Sequence, residues 1–561
     1  MKVFYKVCGV LIALLLFCQP AIEACTNFLI TRGASLDGST MVTYTADSHV
    51  LFGELYFTPA GRHIEGSPLR IFEWDTGKYL GDIKQVAATY SVVGNMNEHQ
   101  VVIGETTYGG RRELHDPKGI MDYGSLMYVA LQRARTAREA IRVMTELVEE
   151  YGYYSSGESF SISDANEVWI MEMIGKGPEN KGAVWVARRI PEGYISAHAN
   201  QARIRQFPLA DNRTSITSKD ISLLKNPRIE TIYAHDLIEF ARDREFFSGA
   251  DKDFSFADAY APLSFGGLRF CEARVWSMFR RAAPSIDLSP DFAMGLAGAE
   301  PMPLWIKPDK KLSVRDVMEL MRDHFQDSEM DLTVGIDAGP YGLPYRWRPL
   351  TWKVDEEEYF NERATSTQQT GFSFVSQSRS WLPDPIGGVL WFGVDDTYST
   401  VYMPIYCGIR KVPKSLAVGT ADFDSFSWDS AFWVFNFVAN WAYSRYQDMI
   451  QDIQIVQREL EGTFLALQPE IDQAALHLFK SAPELARNYL TDYSVKQAEM
   501  TTKRWKELGE HLIWKYLDGN VRNELGKVTH PGYPQSWQRR IIKERGDHYR
   551  VKKVQQESER P

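Results

Sequence analysis

The sequence predicts a mixed α+β protein built on antiparallel sheets and extended toward its C-terminal end by helices. Three observations carry that prediction. Short strand-like runs joined by hairpin-type turns occupy residues 25 to 110 and resume from 159 to 199. Between them, residues 122 to 150 change to helical spacing, and from about 426 to 520 the chain turns helical again. Strands, helices, then strands with hairpin connections fit layered α+β better than a doubly wound parallel sheet.

Each element follows from local pattern. Cys25 to Thr31 is a short, mostly apolar run. Asp37-Gly38 supplies the backbone freedom of a tight turn, and Met41 to Thr45 is the return strand. Val86 to Val93 and Val101 to Glu105 read as further strands. In 122–150, Thr136 and Glu139 have capping-box spacing, which splits the segment into two consecutive helices. Strands return at Ser159–Ser163, Val168–Met173, Ala183–Arg189 and Tyr194–Ala199. Ser313 to Phe325 is a capped helix, with Ser313 and Asp316 in box spacing. Prolines 340, 344 and 349 make 340–350 a loop; Gly371–Ser376, Val389–Val394 and Thr400–Tyr406 are strand candidates. Amphipathic stretches at Ile453–Leu467 and Thr501–Leu517 carry the helical section.

A chain of 561 residues exceeds what one core organises. A large domain over 25–425, a helical region over 426–520 and a polar tail over 521–561 are expected. A net charge of −10 argues against nucleic acid, which requires a basic footprint. Lys2 and Lys6, the apolar Val7–Phe17 run and the exit Ala21-Ile22-Glu23-Ala24 have the form of a secretory signal peptide over 1–24. The run is too short for a membrane span, and no later segment is long and apolar enough. The mature protein is therefore expected to be secreted or periplasmic. Three cysteines remain after residue 24: Cys25, Cys271 and Cys407. Cys271 and Cys407 read either as a disulfide or as two buried thiols. No Cys-x-x-Cys or His-Glu-x-x-His spacing supports zinc.

Cleavage after Ala24 would make Cys25 the first residue, with a thiol and a free α-amine on one skeleton. The amine titrates at about 7.7–8.0 and a thiol near about 8.5. The amine can therefore take the thiol proton, which makes an activated nucleophile with its base built in. Two other readings compete: a buried core cysteine, and a lipoprotein cysteine acylated on sulfur. Ala24 suits a lipobox and Glu23 does not, so the lipid anchor is disfavoured.

Cys25-Thr26-Asn27-Phe28 followed by Gly33-Ala34-Ser35-Leu36-Asp37-Gly38-Ser39-Thr40 resembles the opening of the C69 peptidases. These are the dipeptidase A-like members of the N-terminal-nucleophile superfamily. Asn97-Glu98-His99 running into Val101–Thr107 is similar to the family's next sheet segment, and His198-Ala199-Asn200-Gln201 and Arg274 fall where related acylases place functional groups.

The resemblance implies a four-layer αββα sandwich and a cysteine dipeptidase working through a thioester. It implies small peptide substrates and no metal or organic cofactor. An N-acyl amidase of the penicillin or bile-salt type is the alternative enzyme. A non-catalytic envelope lipoprotein is the alternative outside enzymes. By the same resemblance Cys25 is the nucleophile, Asp47 orients its amine and Asn200 donates to the oxyanion. Thr107 occupies a second oxyanion position, where a backbone N–H is the alternative donor. Arg274 either holds the site together through Asp47 or takes a substrate carboxylate. One departure stands out: relatives carry Arg-Asn-x-Asp where this chain has Tyr44-Thr45-Ala46-Asp47. Tyr44 lines the substrate site without supplying a positive charge. Either Arg274 substitutes or the substrate range differs. The helical region reads as a cap on the sheets or as a subunit contact, the latter making a homo-oligomer.

Overall fold

The computed structural model describes residues 25–347 and 350–552. The expected signal peptide and the last nine residues of the polar tail lie outside the described residues. Two large sheets form the centre of the protein. The principal strands are β1 (Asn27–Ile30), β2 (Met41–Asp47), β3 (Val102–Gly109), β4 (Gly157–Ser163), β5 (Val168–Gly175), β6 (Ala183–Arg189), β7 (Ile195–His198), β8 (Thr370–Gln377), β9 (Val389–Val394) and β10 (Met403–Tyr406). A seven-stranded sheet runs from Trp305–Ile306 through β7, β1, β2, β8 and β9 to β10. A nine-stranded sheet contains the meander β3-β4-β5-β6, extended by short strands on both sides. Every pairing among β1 to β10 is antiparallel.

The principal helices are α1 (Tyr123–Arg133), α2 (Ala137–Tyr151), α3 (Ala273–Ala282), α4 (Val314–Met321), α5 (Ala431–Ala442), α6 (Tyr446–Ser481) and α7 (Pro483–Lys515). Helices α1 and α2 pack on β3 and β4, and α5, α6 and α7 pack on β9 and β10. The two sheets meet where β1 and β2 face β3 and β4. This explains why β4, β5 and β8 are buried along their whole length, unlike antiparallel strands with one wet face. Gly104 permits the close approach of the sheets. A Cβ there would lie 2.7 Å from Asn27 Nδ2 and 3.5 Å from Tyr44 Cβ.

The expected split of 122–150 is present, with Asp122 and Thr136 as the two N-caps. Thr136 accepts from Glu139 N, while the Glu139 carboxylate caps Arg135 N instead of Thr136 N. Ser313 and Asp316 form the full capping box. That helix stops at Met321, short of the expected Phe325, whose φ of +62° no helix accommodates. The expected strand Val86–Val93 breaks in two. Ala88–Thr89 pairs with Gly61–Arg62, whereas Val92–Val93 joins the nine-stranded sheet.

The helical region closes over the seven-stranded sheet by polar clamps as well as apolar packing. Arg322 pairs with Glu461 of α6 at 2.5 Å, and Glu461 also accepts from Tyr402 N. Arg379 pairs with Asp472, which accepts from Tyr406 Oη at 2.7 Å. Asp395, at the end of β9, accepts from Asn436 Nδ2 of α5 at 2.9 Å. Burial pushes its carboxyl up to about 8, with Asp396 adding to the rise. A carboxyl raised on folding contributes most below its unfolded pKa, and that contribution is lost as pH climbs through about 8. Asp395→Asn is therefore expected to gain stability on wild type between pH 5 and 7. The gap should widen by about 2 kcal/mol in urea unfolding; a gap independent of pH would refute the assignment.

Candidate active site

The segment Cys25–Thr26 enters β1 at the centre of the seven-stranded sheet. Thr26 N donates to Thr45 Oγ1 at 3.0 Å, and Thr45 N donates to Thr26 O at 3.0 Å. Cys25 is thereby held beside β2. The residue is 4% exposed and lines a cavity of about 140 Å³. The other walls are Tyr44 and Asp47 of β2, Glu105 of β3, Asp75, and an aromatic group of Tyr56, Trp74, Tyr123, Tyr128 and Phe372. Among the described residues lining it, none is Lys or Arg.

The thiol faces two oxygens. Cys25 Sγ is 3.6 Å from Glu105 Oε1 and 3.8 Å from Tyr44 Oη. Tyr44 Oη donates to the same Glu105 Oε1 at 2.6 Å. Burial raises the Tyr44 phenol well above its usual range, and the adjoining Cys25 and Glu105 add to this, so it stays a neutral donor. Burial likewise raises Glu105. Glu105 was legible as a strand residue but not as part of the site. The available signal was one carboxylate inside the otherwise uncharged run Val101 to Thr107.

Asp47 is 1% exposed. Its Oδ2 accepts from Arg363 Nη2 at 2.7 Å and from Thr45 Oγ1 at 2.9 Å; its Oδ1 accepts from Thr370 Oγ1 at 2.7 Å. Through Thr45 it reaches the backbone next to Cys25. Its cationic partner is thus Arg363, not Arg274 as expected from the sequence.

Arg274 is fully buried near the start of α3. Nη1 donates to Cys25 O and Thr26 Oγ1, both at 2.6 Å. Nη2 donates to Ala199 O at 3.1 Å and Asn200 Oδ1 at 2.8 Å, and Nε donates to Phe270 O at 2.7 Å. All five donors of the guanidinium are engaged. The expectation that Arg274 takes a substrate carboxylate gives way to a positioning role, fixing the Cys25 carbonyl and the Asn200 amide. Burial lowers its pKa to about 10, which leaves the cation intact at neutral pH.

Asn200 has φ +62° and is 6% exposed. Its Nδ2 donates to Thr107 O at 2.7 Å, so Asn200 and Thr107 are adjacent. The Thr107 hydroxyl donates to Glu158 Oε1 at 2.9 Å, turned toward the acid rather than the thiol. Behind the site, His198 bridges the sheets, its ring nitrogens 2.7 Å from both Thr106 Oγ1 and Ser161 Oγ. Burial, then Arg203 and Arg274, lowers His198 to about 3, so it is a neutral bridge. Cys271 and Cys407 are free buried thiols, not a disulfide. Among the described residues, no group of three or more His, Cys, Asp or Glu is arranged to hold a metal ion. No described helix is long and apolar enough to cross a membrane.

Residues 71–459 match peptidase family C69, and the chain belongs to that family of hydrolases acting on peptide bonds. Its relatives include a probable dipeptidase of Latilactobacillus sakei, 24% identical over 71% of this chain and 79% of the relative. A probable dipeptidase B of Streptococcus pyogenes serotype M1 is 21% identical over 90% of this chain and 96% of its own length. A dipeptidase of Bifidobacterium longum is 24% identical, with 70% and 73% covered.

Proposed function

We propose that this protein is an exported cysteine dipeptidase whose nucleophile is Cys25, exposed as the first residue by removal of residues 1–24. The observation that carries the reading is the Cys25 thiol at a cavity wall, with its backbone carbonyl held by a fully buried arginine. The helices on either side of the paired sheets support assignment to the αββα sandwich of N-terminal-nucleophile hydrolases. The thiolate attacks the peptide carbonyl carbon and the C–N bond breaks. The amine leaves with a proton, and water hydrolyses the thioester to release the acid and restore the thiol. Asn200, whose amide is held between Arg274 and Thr107, is assigned to the oxyanion beside a backbone N–H.

The cavity favours dipeptides and short peptides with a free N-terminus over N-acyl amides. Asp47 is matched by Arg363, while Asp75 lines the cavity beside Trp74 and Tyr128, which stack with ring centroids 4.7 Å apart. A carboxylate next to aromatic faces suits an ammonium group. The test has two parts. Intact mass of the exported protein should show an unmodified Cys25 as first residue; a diacylated Cys25 would point to a lipoprotein instead. A panel of dipeptides and their N-acetyl counterparts should then show at least tenfold faster turnover of the free amines. Equal or faster turnover of the acylated set would select the N-acyl amidase.

A further inference from the structure

We propose that Glu105 is a catalytic proton acceptor for the Cys25 thiol, and that Tyr44 positions it. This rests on Cys25 being the nucleophile and adds a base that the α-amine mechanism does not contain. Three observations on three strands support it. Glu105 Oε1 faces the sulfur at 3.6 Å. Tyr44 Oη donates to that same oxygen at 2.6 Å and lies 3.8 Å from the sulfur, so one phenol touches both ends of the transfer. The backbone of Glu105 is clamped by the Asn27 side chain. With its amide turned to satisfy its neighbours, Asn27 donates to Glu105 O at 2.9 Å and accepts from Glu105 N at 3.1 Å.

The other carboxyl oxygen, Oε2, is buried with no hydrogen-bond partner among the described residues. The Glu158 carboxyl, which accepts from Thr107, lies beside it. The step then balances. The Cys25 S–H bond breaks, an O–H bond forms on Glu105 Oε1, and the single negative charge of the group moves from carboxylate to sulfur. Tyr44 turns its hydrogen to the thiolate as Glu105 becomes neutral. Glu105 passes its proton to the departing amine; when water then cleaves the thioester, its hydroxyl joins the acyl carbon and its proton returns to the sulfur through Glu105.

Ordinary glutamate is about four pKa units more acidic than a thiol, too weak a base by roughly 6 kcal/mol. Burial narrows that gap by raising Glu105, and Asp75 adds to the rise, while Tyr44, Glu158 and Cys25 work against it. The groups facing Glu105 are Cys25, Tyr44, Glu158 and Asp75, with Tyr128 of α1 and Tyr153 at the edge. The cations nearby are already engaged: Arg274 on Cys25 O and Arg363 on Asp47. Tyr44, which stands where the resembled family carries an arginine, therefore presents a phenol to the base instead of a cation to the thiol. What favours the thiolate here is hydrogen bonding from Tyr44 and the protonated Glu105, not a fixed cation.

The test uses the mature protein, with dipeptide kcat/KM and the rate of Cys25 alkylation by iodoacetamide both followed from pH 5 to 9. Wild type should show alkylation that levels off near neutrality, with an acid limb set by Glu105. Glu105→Gln should lose that plateau and lower kcat/KM by about a hundredfold. Tyr44→Phe removes a hydrogen bond that stabilises the Glu105 carboxylate, so its acid limb should move to higher pH. Profiles that superimpose on wild type in both variants, or Glu105→Gln turnover within threefold, would overturn the proposal. If Glu105→Gln does not fold, the Tyr44→Phe limb decides, and an unmoved limb overturns it. Cys25→Ala separates the two claims. Retained turnover there would sink the nucleophile assignment, whereas a dead Cys25→Ala with unmoved limbs would sink only the role of Glu105.

Discussion

Cys25→Ala is expected to abolish dipeptide hydrolysis, with kcat down by at least about 10⁴-fold, and to leave the unfolding midpoint almost unchanged. The large effect follows from the chemistry: no other described side chain on the cavity wall is a thiol. The small stability effect follows from the contacts. What fixes this residue is its carbonyl on Arg274 and the Thr26–Thr45 ladder, none of which uses the Cys25 side chain, so alanine keeps them. Stopped-flow measurement of an acyl-enzyme burst in wild type, absent in the variant, would place the defect at thioester formation. Turnover within tenfold of wild type would put the active site elsewhere.

Asp47→Ala is expected to have the largest effect on stability. The Arg363–Asp47 pair is almost wholly removed from water, with side chains 2% and 0% exposed. Deleting the carboxylate strands a buried guanidinium, at a cost of about 3–5 kcal/mol. Thr45 and Thr370 lose their acceptor as well. Because Thr45 also receives Thr26 N, the loss is transmitted to the backbone beside Cys25, and activity should fall with stability. The double variant Asp47→Ala, Arg363→Met should recover part of the stability but not the activity. Urea unfolding of the two single variants and the double variant checks this, and strict additivity of the two losses would refute a coupled pair.

How much of this was legible in the sequence depended on how far each interaction reaches along the chain. The Cys25 reading needs only a cleavage pattern and two functional groups on one residue. The turn after it is local too, and Gly38 takes the expected positive φ of +83°. The capping box of Ser313 and Asp316 was readable because its partners lie three positions apart, whereas Thr136 and Glu139 make only half of one. The hairpin Thr351–Val354 with Glu357–Phe360 was missed because its turn carries no glycine or asparagine. Asp355 and Glu356 take φ of +50° and +72° without the usual signal. Asp47 was located but its partner was not. Arg363 lies 316 residues away and arrives only through the pairing of β2 with β8. For Arg274 the sequence left open a link through Asp47 or a substrate clamp, because a sequence shows a charge but not whether its donors are already engaged. Glu105 was concealed by an apolar strand whose pattern announces a core position, although a buried acid there demands explanation.

The pairing of β2 with β8 also has a temporal meaning. Cys25 is made among the first residues, yet the groups that organise it come from positions 105, 274 and 363, and the helices sealing the sheet come from beyond 430. Loops this long close late in folding. A growing chain therefore carries the Cys25 thiol with none of these supports, and the surroundings of that thiol are complete only once the last third of the polypeptide has been made.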